Sequence, residues 1–315
     1  MTKVEQNPNT KYEVPKTIMS LSRRTFLRTS LAVATLPAFA TKATAKIEQD
    51  TSLAGEVGIT TGSFMQHMRT DPALHKSLLL DLPQRMRDEL GMKVIDLMTR
   101  TLPSWEPAYL DQLRSRAEKY GCILTNLKMN QTDIDMASVD PAARHKALDE
   151  YRRTIDAAAR LGCRWVRPAP GKSRPDMKLL AASYRELIDY AAPKGISLLV
   201  ENNAWLRNDP EAIPTVIAAV GEGIAAAPDT GNWTDSARDD GLAKSFPLAV
   251  TCDFKAQPFG PNGEHEPYDL RRCFEIGWSA GFRGPWCLEH FNDSLDSLWR
   301  GFRQLRDLLQ QWMKV

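Results

Sequence analysis

Eight short runs rich in apolar residues are spaced through residues 56–291, with longer helix-like stretches between them. They read EVGITTGSF (56–64), KVIDLMTR (93–100), CILTNLKMN (122–130), CRWVRPAP (163–170), GISLLVENN (195–203), GIAAAPDTGNW (223–233), LAVTCDFKAQ (248–257) and GPWCLEHF (284–291). This alternation predicts parallel strands joined by crossover helices. Several runs are apolar throughout, as expected of strands covered on both faces. The helical stretch 140–161 starts with Asp140 placed to cap and Pro141 at the first helical position. A last amphipathic stretch runs from Leu295 to Met313. Eight such units predict an α/β fold, the (β/α)8 or TIM barrel, which typically takes about 250 residues. The competing fold is an open doubly wound sheet. GITTGSF argues against it, because its glycines do not form the GxGxxG phosphate turn.

Residues 1–45 stand apart. SRRTFLRTSLAVATLPAFATKATA carries Arg23 and Arg24, then Phe26 and Leu27, then a modest apolar stretch from Leu31 to Ala40. It closes on the small residues Ala43, Thr44 and Ala45. That order predicts a twin-arginine export signal cleaved after Ala45, with a single barrel domain over 46–315. The expected partner of this segment is the twin-arginine export machinery, and the expected compartment is the periplasm. No later run is long enough to span a membrane, so no stable insertion is expected after cleavage.

Cleavage would also change the charge. The chain has 41 basic and 39 acidic residues, and residues 1–45 hold seven of the basic and two of the acidic ones. The remainder carries 34 basic and 37 acidic residues, a net of −3. A nucleic-acid binder is ordinarily basic, so that function class is not expected. The five cysteines, Cys122, Cys163, Cys252, Cys273 and Cys287, are odd in number and form no CxxC. They read as buried thiols. Whether the chain forms a homo-oligomer is left open.

In a (β/α)8 barrel the C-terminal ends of the strands form the active face. Glu201 follows ISLLV, Asp229 follows IAAAP, Asp253 follows LAVTC and Glu289 follows PWCL. One acidic residue after a strand is ordinarily a helix cap. Four in consecutive units make a rim cluster, because neighbouring parallel strands lie only about 4.8 Å apart. Converging carboxylates repel each other, and a divalent cation is the simplest compensation. All-oxygen ligation favours Mn²⁺ or Mg²⁺ over Zn²⁺. Neutralisation by Lys255 is the alternative.

The segments LLVENN, PDTGNW, CDFKA and AGFRGPWCLEH resemble the xylose-isomerase-like TIM barrels, over roughly residues 55–312. That family comprises sugar isomerases, epimerases and endonuclease-IV-type enzymes. The resemblance implies a metal held by Glu, Asp, His and Glu after strands five to eight. Those positions fall on Glu201, Asp229, Asp253 and Glu289, so Asp253 stands where the family usually has histidine. The change adds negative charge and disfavours Zn²⁺. The endonuclease branch uses several histidines for zinc. Here only His290 sits on a strand end, and alternation points it away from Glu289.

The resemblance further implies a carbohydrate substrate and proton abstraction beside a carbonyl through an enediolate, with Glu201 and Glu289 as the acid/base pair. Lys255 shares the strand parity of Asp253 and can reach the substrate or the acidic cluster. Arg167 and Lys128 are rim cations on strands four and three, candidates to hold a substrate carboxylate or sugar hydroxyl, with a structural ion pair as the alternative. Asn203, Asn232 and Trp205 are candidate sugar contacts, with helix capping and loop packing as the structural alternatives. The expected function is an exported, metal-dependent sugar isomerase or epimerase. A lyase or hydrolase of keto-sugar glycosides shares its first step, and a non-catalytic sugar-binding barrel is the reading from another class.

Overall fold

The computed structural model describes residues 47–314, apart from 132 and 170. The export-signal expectation for 1–45 lies outside the described residues. All eight predicted runs contain a strand: β1 Val57–Thr60, β2 Val94–Met98, β3 Ile123–Lys128, β4 Trp165–Arg167, β5 Ser197–Val200, β6 Ile224–Ala226, β7 Cys252–Ala256 and β8 Trp286–His290. The helices are α1 Met65–Thr70, α2 Pro72–Arg85, α3 Pro107–Lys119, α4 Pro141–Leu161, α5 Met177–Ala191, α6 Ala212–Val220, α7 Arg238–Ser245, α8 Leu270–Ser279 and α9 Leu295–Trp312. Aspartates at 71, 140, 176 and 269 and Ser294 cap α2, α4, α5, α8 and α9 with their side chains. Each satisfies backbone N–H groups that the first helical turn leaves unpaired.

The strands pair in parallel in the order β6-β5-β4-β3-β2-β1-β8-β7. Two single parallel bridges, Ala226 with Ala249 and Asp229 with Asp253, join β6 to β7 and close the ring. Asp253 N donates to Pro228 O at 2.9 Å, and Thr230 N donates to Asp253 O at 2.9 Å. This seam brings two of the predicted rim carboxylates side by side through the backbone. It also explains why β7 begins later than its apolar run. Phe246–Leu248 forms a 3-10 turn, and Ala249 and Val250 reach across to β6 before the ladder with β8 starts at Cys252.

Apolar side chains pack in two places. The larger core lies between sheet and helices, as the amphipathic helix pattern requires. The smaller one fills the barrel with Leu53, Val94, Trp165, Leu199, Ala225, Ala227, Val250 and Cys287. All five cysteines are buried and free. Burial pushes the Cys122 thiol up to about 11 and the Cys273 thiol to about 12, so both stay protonated and inert at neutral pH. Among the described residues, no helix is long and apolar enough to cross a membrane.

Helix α9 seats directly on the end of β8. A Cβ built on Gly301 would lie 2.1 Å from His290 Nε2, so only glycine allows this approach. His290 is fully buried there, its Nδ1 2.9 Å from Ala256 O. Its side chain points away from the barrel mouth, as strand alternation requires. Replacing a mid-helix glycine by alanine ordinarily gains up to about 1 kcal/mol. Gly301→Ala should instead lose about 1–3 kcal/mol through overpacking, measured as a lower urea midpoint. A gain would contradict this packing.

Candidate active site

The charged layer of the barrel follows from strand period. Val94, Trp165, Leu199, Ala227 and Cys287 point into the barrel as part of its apolar plug. Two residues further along, on the same face, come Asp96, Arg167, Glu201, Asp229 and Glu289. Asp253 and Lys255 from β7 and Lys128 from β3 complete a polar layer over the plug. Exposure of Asp96, Asp229, Lys128 and Arg167 is at most 1%, and Glu289 is the most open carboxylate at 9%. Buried charges are costly unless paired, and here they are paired.

The pairs are set by register. Asp253 lies opposite Asp229 across the seam, and Lys255 lies opposite Glu289 in the β7–β8 ladder. Lys255 Nζ sits 2.7 Å from Asp229 Oδ2 and 3.3 Å from Glu289 Oε2. It also donates to Asn232 Oδ1 at 2.7 Å, and Asn232 Nδ2 donates to Glu201 Oε1 at 3.0 Å. Arg167 Nε lies 2.9 Å from Glu201 Oε2, while its other nitrogens donate to Met129 O and Asn130 Oδ1. Lys128 Nζ donates to Asp253 Oδ1 at 2.6 Å and lies 3.6 Å from Asp96 Oδ2. Asp229 is held from several sides. Gly231 N and Asn232 N donate to its Oδ1 at 2.8 and 3.0 Å, and the Asn202 amide clamps its backbone N–H and C=O.

Burial works against the charged forms of Lys128 and Lys255. The surrounding carboxylates outweigh it, chiefly Asp253 for Lys128 and Asp229 for Lys255, and both ammonium groups are held above the ordinary lysine value. For Asp253, burial pushes the carboxyl well above its ordinary value. Lys128 pulls it down, and Glu201, Glu289 and Asp229 push it up again.

One carboxylate oxygen each from Glu201, Asp229 and Asp253 lies within 4.8 Å of the others. Glu201 Oε2 and Asp229 Oδ2 are buried and accept no aligned hydrogen bond, facing only the cations of Arg167 and Lys255. The five carboxylates of the layer, Asp96 included, meet the three cations Lys128, Arg167 and Lys255. With all of them ionised, two negative charges remain, the charge that one divalent ion cancels. The spacing and the all-oxygen donor set therefore suit an oxygen-liganded divalent cation.

Residues 87–314 match the family described as the xylose isomerase-like TIM barrel. The chain belongs to that family. Solved structures agree on the fold. D-psicose 3-epimerase with D-tagatose, from Clostridium cellulolyticum H10, is 14% identical with a TM-score of 0.60, covering 82% of this chain and 98% of its own. A xylose isomerase-like TIM barrel protein from Mycobacterium smegmatis in complex with magnesium is 18% identical with a TM-score of 0.58, covering 85% of this chain and 100% of its own. The 3-keto-D-glucoside 4-epimerase from E. coli, in its apo form, is 14% identical with a TM-score of 0.60, covering 81% and 99%. No curated protein matches the chain.

Of the residues expected at the site, Glu201, Asp229, Asp253, Glu289, Lys128, Arg167, Lys255 and Asn232 come together. Asn203 and Trp205 lie before and in the turn that follows β5. Asn203 caps the turn Ala204–Asn208 by accepting from Ala204 N at 2.6 Å, and Trp205 lies in that turn with the Arg174 guanidinium 5.6 Å from its ring. Trp233 is buried and packs against Gly241 of α7. Asp96 belongs to the layer without having been singled out. It lies mid-strand, accepts from Thr125 Oγ1 and faces Lys128. A lone acid inside the apolar run KVIDLMTR was its signal.

Asp253 stands where the resemblance implied a histidine, and Lys128 Nζ pairs with its carboxyl at 2.6 Å. Lys128→Met should therefore cost about 3–5 kcal/mol, the usual loss when a buried charge is stripped of its partner. Adding Asp253→His should recover much of that loss. Urea unfolding of the two single variants and the double variant measures the coupling, and strictly additive losses would contradict the pairing.

Proposed function

We propose that this chain interconverts sugars by moving a proton beside a carbonyl group, as a divalent-metal-dependent isomerase or epimerase. The observation that carries this reading is the arrangement of Glu289. It is the carboxylate of the layer that lines a cavity of about 570 Å³. Its Oε2 faces Lys255, which leaves Oε1 toward Gly62 on the cavity side. Glu289 takes the proton from the carbon next to the carbonyl. The C–H electron pair becomes the C=C bond of an enediolate, and the carbonyl oxygen takes up the charge. The Lys255 ammonium supplies a donor beside that developing charge. Glu201, positioned by Arg167 and Asn232 and protonated from solvent before this step, delivers that proton on the other face or at the neighbouring carbon, and Glu289 then releases its own to solvent. A divalent cation, Mn²⁺ or Mg²⁺, held by Glu201, Asp229 and Asp253 with Glu289 beside them, would supply Lewis-acid polarisation of the substrate oxygens.

The epimerases of similar fold support the sugar class, and the magnesium complex of the Mycobacterium protein supports a divalent ion. Export by the twin-arginine machinery to the periplasm is part of the same proposal. It is supported by the order of Arg23, Arg24, the apolar stretch and Ala43–Ala45.

The test is a screen of keto-sugars and glycosides with Mn²⁺, Mg²⁺ or a chelator, read by mass and NMR. A product of unchanged formula, lost on chelation, is expected. A released aglycone would instead assign elimination from a keto-sugar glycoside. With the substrate in hand, Glu289→Gln should lower kcat by about 10²–10⁴-fold. Full turnover by that variant would remove Glu289 from the reaction.

A further inference from the structure

The cavity beside Glu289 is walled unlike the carboxylate layer it opens from. Its lining includes Arg69 from α1, Arg100 from the turn after β2, and His75 from α2, and Glu289 is its one acidic residue. Among the described residues, no carboxylate pairs with Arg69 or Arg100. Arg100 donates Nη2 to Asn130 O at 2.9 Å, which fixes its direction and leaves its other donors open. His75 Nε2 is buried without a hydrogen-bond partner among the described residues. Two guanidinium groups without carboxylate partners thus share one cavity lining.

Gly62 connects this space to the reacting carboxylate. A Cβ there would lie 2.8 Å from Met98 Cε and 3.5 Å from Glu289 Oε1. Met98 therefore packs directly on Gly62, and no side chain from that position stands between the cavity and Glu289 Oε1.

The electrostatics then select the ligand. The carboxylate layer repels an anion placed directly on it. An anionic group carried on the far end of a sugar escapes that repulsion and meets two planar guanidiniums, whose fork geometry matches carboxylate and phosphate oxygens. We propose that the cavity lined by Arg69, Arg100 and His75 is a subsite for an anionic substituent, so that the substrate is a sugar phosphate or a sugar carboxylate rather than a neutral sugar. This rests on the sugar-isomerase reading for the neighbouring carboxylates, but its test is binding, which does not require turnover.

The experiment is calorimetric titration of the full chain with glucose, glucose 6-phosphate and glucuronate at low salt and in 0.5 M NaCl. At least one of the two anionic sugars should bind tenfold or more tightly than glucose at low salt, with most of that advantage lost in high salt. The preferred anionic arm identifies phosphate or carboxylate as the group. Arg69→Ala with Arg100→Ala should abolish the preference and leave glucose binding unchanged, and Arg69→Lys with Arg100→Lys should keep part of it. Both arginines are exposed, so circular dichroism should show an unaltered fold. Equal affinity for all three sugars, or an anion preference that survives the double alanine variant, overturns the subsite. Failure of every keto-sugar to react, with the preference intact, would count against the proposed reaction and leave the subsite standing.

Discussion

The site depends on charge compensation inside the barrel mouth. Five carboxylates are packed over an apolar plug, where ionised groups are tolerated only with partners. Lys128, Arg167 and Lys255 supply those partners from three different strands, at 2.6 Å from Asp253, 2.9 Å from Glu201 and 2.7 Å from Asp229. Each pair also fixes a carboxylate in place, so stability and orientation come from the same contacts. The arrangement explains how a carboxylate is accommodated at position 253. Lys128 gives the buried Asp253 carboxyl a cationic partner 2.6 Å away.

The fold contributes through two simple periodicities. Side chains alternate along each strand, so a charged residue two places beyond an interior apolar one must enter the same space. Parallel register then sets Lys255 against Glu289 and Asp229 against Asp253. The seam between β6 and β7 is made of isolated bridges rather than a full ladder, and it coincides with the densest part of the acidic cluster. Outside the barrel, Gly301 lets α9 close on His290 and so holds the end of β8 that carries Glu289.

Much of this was legible in the sequence because the features are local. Apolar runs ending in an acid marked Glu201, Asp229 and Glu289, and the Asp140–Pro141 pair marked the start of α4. Asp96 was less legible because it sits within its run, and its meaning comes only from Lys128 on the next strand. Asn203 carries the same side chain whether it caps a turn or binds a sugar, so the sequence left both readings open and the structure shows the cap. The Arg69, Arg100 and Gly62 constellation has no sequence signature, because α1 and the turn after β2 meet only in the folded barrel. Identities of 14–18% to proteins of the same fold locate the architecture and leave the chemistry to these side chains.

The central claim is that Glu289 and Glu201 exchange a carbon-bound proton of a keto-sugar. The most direct measurement is turnover in D₂O, followed by NMR and mass analysis of recovered substrate and product. The account predicts deuterium at the carbon adjacent to the carbonyl, because a proton held on a carboxylate exchanges with solvent. Product formed with its original hydrogen fully retained would contradict it.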